Sequence, residues 1–360
     1  MKRILSISII YILLFPLLSF SQKQTTNIDF SKLLSPVPSC AKFINDSLYI
    51  WGGSLVKSDK DGKYHLFYSR WSRNLKMNAW VTNSEIAHAV SNSPFGPFEF
   101  KDIALVPRGN KYWDGLVTHN PTVHKFDGKY YLYYMGTTGS NNDREFWDFR
   151  NNQRIGVAVA ENPNGPWKRF DKPLIDVSDN PDSHDAVMVS NPSVTCMRDG
   201  KYLMIYKAAA HRGESPAYGP VVHLAAISNF PYGPFIKLNQ PLFTAGEECE
   251  FPAEDPFIWF DKKKDTYYAI VKDMKGAFTD HGTSLVLFIS KDGFDWKLAI
   301  HPLVSEIKIN WEDGTEQLLE KLERPQIYFE NGVPIAMLCA ARIKNDHSFN
   351  VQIPLKNYKE

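Results

Sequence analysis

The sequence repeats itself, and the repeat fixes the architecture. A polar residue, a proline and a short apolar strand recur as Asn120-Pro121-Thr122-Val123, Asn191-Pro192-Ser193-Val194, Asp255-Pro256-Phe257-Ile258 and Arg324-Pro325-Gln326-Ile327, at spacings of 64 to 71 residues. Gly53-Ser54-Leu55-Val56 fits the same register without the proline. A turn and an aromatic strand follow at Gly62-Lys63-Tyr64, Gly128-Lys129-Tyr130, Gly200-Lys201-Tyr202 and Asp265-Thr266-Tyr267-Tyr268, and the first four units end at a corner: Gly96-Pro97-Phe98, Gly165-Pro166-Trp167, Gly233-Pro234-Phe235 and Asp292-Gly293-Phe294. Between these punctuation points the apolar runs alternate with period two, the signature of strands. Four short strands cannot bury both faces of their own sheet, so five such units must stack around an axis. The expectation is an all-β fold, a five-bladed β-propeller with four-stranded antiparallel blades around a central axis, over residues 47–360.

The remaining segments have other tasks. Lys2 and Arg3 precede an apolar run from Ile4 to Phe20, and Ser19 and Ser21 supply the small residues of a cleavage site before Gln22. Residues 1–21 therefore read as a signal peptide, with export to the periplasm or beyond and no membrane insertion after cleavage. Residues 22–46 lack the repeat and are expected to complete the last blade, for which residues 323–356 supply too few strands. Four cysteines, Cys40, Cys196, Cys249 and Cys339, are scattered without a C-x-x-C pair. That spacing is no zinc site, and buried free thiols are expected. A net charge of +1 without basic blocks argues against a nucleic-acid partner.

In a propeller the residues that open the innermost strands converge at one axial mouth, joined by the ends of the second strands. The converging set comprises Asp114, His119, Asn120, His184, Asp185, Asn191, Glu254, Asp255, Glu323 and Arg324, with Ser69, Arg70, Met135, Gly136, Lys207, Lys272, Asp273 and Arg342. Facing charges cost free energy unless paired or engaged in chemistry. Structural alternatives stand beside this reading: Asn or Asp before Pro satisfies backbone groups, Glu323 can pair with Arg324, and Lys272 with Asp273.

The Asp-Pro and Glu-Arg-Pro openings, the hairpin Asp127-Gly128-Lys129-Tyr130-Tyr131-Leu132 and the Gly-Pro-aromatic corners together resemble the five-bladed propeller glycoside hydrolases, family 43 and its relatives in families 32, 68 and 117, over residues 47–356. The resemblance implies hydrolysis of oligosaccharides by an Asp base and a Glu acid from different blades, with a second Asp tuning the acid. Inverting hydrolysis separates its carboxyls by about 6.5 to 9.5 Å. One departure is plain. Where family 43 members carry a base in the first blade, this chain reads Trp51-Gly52-Gly53-Ser54. The catalytic candidates are therefore Asp255 as base or base partner and Glu323 as acid, with Glu254, Asp185, His119 and His184 as alternatives. Substrate binding falls to Asp114, Asn120, Asn191, Lys207, Lys272, Arg70, Arg324 and Arg342. The cations favour an acidic, uronate-bearing or sulfated oligosaccharide of plant or algal origin, attacked from its end. No cofactor is required on this reading; a structural Ca2+ is compatible with the fold without being indicated. Two other functions stay open: β-elimination by a lyase or dehydratase on uronic-acid chains, and carbohydrate binding without catalysis.

Overall fold

A computed structural model describes residues 28–139, 145–246, 249–344 and 347–356. The signal peptide expected over residues 1–21 lies outside them. Among the described residues no helix is long and apolar enough to cross a membrane.

Five four-stranded antiparallel sheets form the molecule. Blade I comprises Leu48–Lys57, Tyr64–Ser72, Glu85–Ser91 and Glu99–Leu105, and blade II Val117–Phe126, Lys129–Thr137, Arg154–Ala160 and Lys168–Arg169. Blade III comprises Met188–Cys196, Tyr202–Arg212, Gly219–Ser228 and Ile236–Leu242, and blade IV Ala253–Asp261, Thr266–Asp273, Ser284–Ser290 and Trp296–Glu306. Blade V takes Lys321–Glu330, Val333–Ile343 and His347–Pro354 from the end of the described chain and its outermost strand, Lys42–Ile44, from the beginning, with Lys42 opposite Val351. The five innermost strands contact one another in a closed cycle.

Neighbouring blades bury apolar layers between them. Tyr131, Val194 and Met204 lie between blades II and III, Leu203, Ile258 and Val286 between III and IV, and Phe67, Val123 and Leu132 between I and II. This is why the second strand of blade IV, Thr266–Asp273, is buried at every position: a middle strand has a neighbouring blade on each side. Phe30, Leu33 and Val37 join the layer between blades IV and V, so the segment before blade I is also core.

Each innermost strand carries a bulge at the same place. Pairing skips two residues between Trp51 and Ser54, His119 and Thr122, Ser190 and Ser193, Glu254 and Phe257, and Glu323 and Gln326. The first skipped residue is left-handed in all five: Gly52 (φ 59°), Asn120 (51°), Asn191 (51°), Asp255 (52°) and Arg324 (57°). In four blades the second is a proline, which has no N–H to leave unpaired. The register of blade I is thereby corrected by one residue, because Gly52 rather than Gly53 stands in the left-handed position.

The free thiols divide differently from expectation. Cys339 is buried within an inter-blade layer, Cys196 is half-buried at the edge of another, and Cys40 and Cys249 are exposed.

Candidate active site

The left-handed residues point to the axis and close a ring. Asn120 Nδ2 donates to Asn191 Oδ1 (2.8 Å), Asn191 Nδ2 donates to Asp255 Oδ1 (2.6 Å), and Arg324 Nη1 donates to Asp255 Oδ1 (3.3 Å). Arg324 Nη2 also reaches the Asn120 carbonyl (3.4 Å). Gly52 is the fifth member. A β-carbon there would lie 3.2 Å from Asn120 Oδ1 and 3.7 Å from the Arg324 Cγ and Nε. The arginine side chain thus fills the place of an acid in blade I, which explains why glycine opens that blade.

One residue before the ring stand Trp51, His119, Ser190, Glu254 and Glu323, the last paired residue ahead of the bulge in each innermost strand, opposite Ser69, Met135, Lys207, Lys272 and Ala340. Blades IV and V therefore place acids beside the lysines of blades III and IV. Glu254 accepts from Lys207 Nζ (3.0 Å) and Lys272 Nζ (3.2 Å), while Glu323 accepts from Lys272 Nζ (2.6 Å) and Lys321 Nζ (3.2 Å). Carboxylate oxygens of Glu254, Asp255 and Glu323 lie within 4.8 Å of one another. A divalent cation bridging them would have to displace the Lys272 ammonium, which already bonds two of the three.

The environments of the two adjacent acids differ. Burial pushes the Glu254 carboxyl up, but Lys207 and Lys272 outweigh it and hold Glu254 well below the ordinary carboxylate range. Burial raises Asp255 above its ordinary value, with Arg324 only partly opposing. Both hydrogen bonds to Asp255 fall on Oδ1. The usual sign that two carboxyls have been given different proton-transfer roles is such a split.

An aromatic cluster borders the ring. His119 lies against Trp80 (ring centroids 5.0 Å, stacked) and edge-on to Trp71 (5.6 Å), beside Trp51 and Tyr49. Its Nδ1 is bonded by Ser84 Oγ (2.7 Å), and burial, with Arg324 and Lys207 adding to it, holds the imidazole neutral well below its ordinary pKa. Trp80 comes from a short helix, Trp80–Asn83, inserted after the second strand of blade I. A second inserted helix, Phe146–Asn151, lays Phe146 against Trp80 (6.2 Å). Its Arg150, lowered to about 10 by burial, feels the Glu254 charge and donates to the Ala217 carbonyl (3.4 Å).

The structure thus brings together Glu254, Asp255, Glu323, His119, Asn120, Asn191, Lys207, Lys272 and Arg324. It places others elsewhere. Asp114 is buried inside blade II, accepting from Arg108 Nε (2.7 Å), Tyr134 Oη (2.7 Å) and Arg169 Nη1 (3.2 Å). Asp185 makes the equivalent lock in blade III with Ser183 Oγ (2.6 Å), Lys237 Nζ (2.6 Å) and Tyr206 Oη (3.3 Å). Both precede the strand proper and turn sideways into their own sheets. His184 is half-buried and bonded to Asn239. Arg70 points outward to Glu85 (3.0 Å) and the Phe100 ring, and Arg342 pairs with Glu320 (3.2 Å) at the rim. Asp273 accepts the backbone N–H groups of Ala277, Phe278 and Thr279 and does not pair with Lys272. Trp51, Trp71, Trp80, Lys321 and Arg150 were not foreseen from sequence.

The profile of the glycosyl hydrolases family 32 N-terminal domain matches residues 54–219. The fold is that of the five-bladed propeller glycoside hydrolases. Among solved structures, a family 117 glycoside hydrolase from the marine bacterium Zobellia galactanivorans is 19% identical, with 89% of each chain covered and a TM-score of 0.61. An endo-arabinase from Bacteroides thetaiotaomicron is 14% identical (91% of this chain, 98% of that one, TM-score 0.56). A family 43 β-xylosidase/α-arabinofuranosidase from a compost metagenome, in complex with xylotriose, is 16% identical (91% and 96%, TM-score 0.56). No curated protein matches the sequence.

Proposed function

We propose that the protein is a glycoside hydrolase that removes sugars from the ends of oligosaccharides. The observation that carries this is the split pair, Glu254 held well below the ordinary carboxylate range next to Asp255 raised above it, near an aromatic cluster whose partly exposed Trp80 offers a sugar ring a stacking face. In the proposed reaction Asp255 protonates the glycosidic oxygen while the Glu254 carboxylate attacks the anomeric carbon; water, deprotonated by Asp255, then releases the sugar from Glu254. Carboxylate oxygens within 4.8 Å of one another are closer than the roughly 6.5–9.5 Å of an inverting pair, so retention of anomeric configuration is expected rather than inversion. The inserted helix bearing Phe146 and Arg150 narrows the mouth and favours attack on chain ends.

An acidic sugar suits the mouth. Five cations, Arg150, Lys207, Lys272, Lys321 and Arg324, surround three carboxylates, and an anionic substituent would meet the excess. β-Elimination is a second reading, favoured by the neutral His119 imidazole, which could remove a proton next to a charge-neutralised uronate. Export to the periplasm or beyond belongs with this role in degrading plant or algal oligosaccharides. The deciding experiment is digestion of a panel of neutral, uronate-bearing and sulfated oligosaccharides, followed by NMR and ultraviolet absorbance. Monosaccharides released first with retained configuration support the proposal. A new ultraviolet-absorbing double bond moves it to elimination, mid-chain products contradict end attack, and binding without turnover contradicts catalysis.

A further inference from the structure

A cavity of about 640 Å³ lies between blades III and IV, radially outside the mouth, within the size range of small-molecule sites. Its walls are the starts and ends of strands on the side of the molecule that carries the carboxylates: Val221 and Val222 at the start of a strand paired with Ala208 and Ala209, Leu242 and Phe243 at the end of blade III, and Glu250 and Pro252 just before blade IV. The Val221 N–H donates to the Glu250 carbonyl (2.8 Å) and pins two of these walls together.

Two links join the cavity to the mouth. His223 in its wall is the cross-strand neighbour of Lys207, the lysine bonded to Glu254. The segment holding Glu250 and Pro252 continues directly into Glu254. His223 is 1% exposed, and its Nε2 has no hydrogen-bond partner. A buried unpartnered imidazole nitrogen is costly in a finished core, and a ligand hydroxyl would satisfy it. Other polar groups of the wall are the Glu250 carboxylate, the Thr244 hydroxyl, the Cys249 thiol and the half-buried His184 ring, set among apolar faces of Leu242, Phe243 and prolines. Acceptors and the buried His223 imidazole beside apolar faces fit an uncharged sugar, and the Glu250 carboxylate disfavours an anion.

We infer that this cavity is a distal subsite for a neutral sugar unit of the substrate, the residue or residues beyond the one held at the axis. The inference rests on the proposed carbohydrate function but is read separately from catalysis. Thr244 lies outside the catalytic cluster, so Thr244→Trp fills the cavity and leaves the cluster intact. The full-length Glu254→Gln protein, alone and with Thr244→Trp or Glu250→Ala, is titrated calorimetrically with xylotriose, arabinotriose and galactotriose. The expected result is binding of at least one trisaccharide, weakened about tenfold or more by Thr244→Trp and by Glu250→Ala, with ligand density in the cavity of a soaked crystal. In the otherwise unaltered protein, Thr244→Trp should raise KM for oligosaccharides and leave hydrolysis of the matching aryl monoglycoside unchanged. No trisaccharide binding, binding indifferent to both substitutions, or density confined to the axis would overturn the subsite. Cavity binding in a protein that cleaves nothing would instead sink the hydrolase reading and leave the subsite standing.

Discussion

At the residue scale the axial ion pair is the sharpest test of how the site is held. Arg324 is 2% exposed, and its partner Asp255 is 4% exposed. Truncation by Arg324→Met leaves a carboxylate buried without its cation, for which about 3–5 kcal/mol is typical. Chemical denaturation should register that loss, and the double variant Arg324→Met/Asp255→Asn should recover most of it; additive losses would mean that the pair does not act as a unit. Glu254→Gln should lower kcat by roughly 10²–10⁴-fold, the range for a group that handles protons or charge in the transition state. The same split sets the pH profile. Glu254 is ionised throughout the working range, so the alkaline limb of kcat reports loss of the Asp255 proton, and activity falls as pH rises through that raised pKa. A rate that climbs from pH 4 to 8 would contradict the assignment. The acids and lysines of the cluster were legible in sequence because repeat register alone fixes which strand position each occupies. Asp114 and Asp185 were misplaced for a related reason: both lie six positions before the bulge, beyond the regular strand, where register no longer gives direction. The aromatic cluster was missed because a lone aromatic in a strand reads as core; the available signal was the extra length between Ser72 and Glu85 that carries Trp80.

At the element scale the bulge matters more than any one strand. Its left-handed residue costs a non-glycine side chain roughly 1–2 kcal/mol, which the ring hydrogen bonds offset in blades II to V. Blade I has no such compensation. Gly52→Ala should therefore lower stability by about 1–2 kcal/mol and disturb Asn120, the group nearest the added carbon; a melting temperature equal to that of the unaltered protein would refute this. The five-blade count and the order of strands followed from turns and prolines that mark the bulges, whereas the register of blade I slipped by one because Gly52-Gly53 offers no proline to anchor it. The outermost strand of blade V is a second element with a measurable role. A chain beginning at residue 46 loses the Lys42–Ile44 pairing and the buried Phe30, Leu33 and Val37. It exposes the edge at Phe349 to Val351, and it should melt lower and self-associate in light scattering.

At the scale of the whole molecule, five histidines, the buried His65, His88, His119 and His223 and the half-buried His124, are all held below the ordinary imidazole pKa by removal from water. Their folded pKa values are depressed, so the unfolded chain binds protons that the native protein refuses. Stability is full above the unfolded value of 6.5 and falls as pH drops below it, by up to about 1.4 kcal/mol per pH unit for each group. Melting temperature should decline steeply between pH 6.5 and 4.5, and a flat profile there would mean that these rings are charged in the folded state. Closure of the ring carries a consequence in time rather than space. The strand at Lys42–Ile44 is made first but has no partner until Phe349, Asn350 and Val351 have been made, so it must wait through the synthesis of all five blades. Non-local pairing of this kind slows folding and prolongs exposure of unpaired edges; the last step of folding is the meeting of the two ends, and refolding rates should respond to substitutions at that seam more than to changes within any single blade.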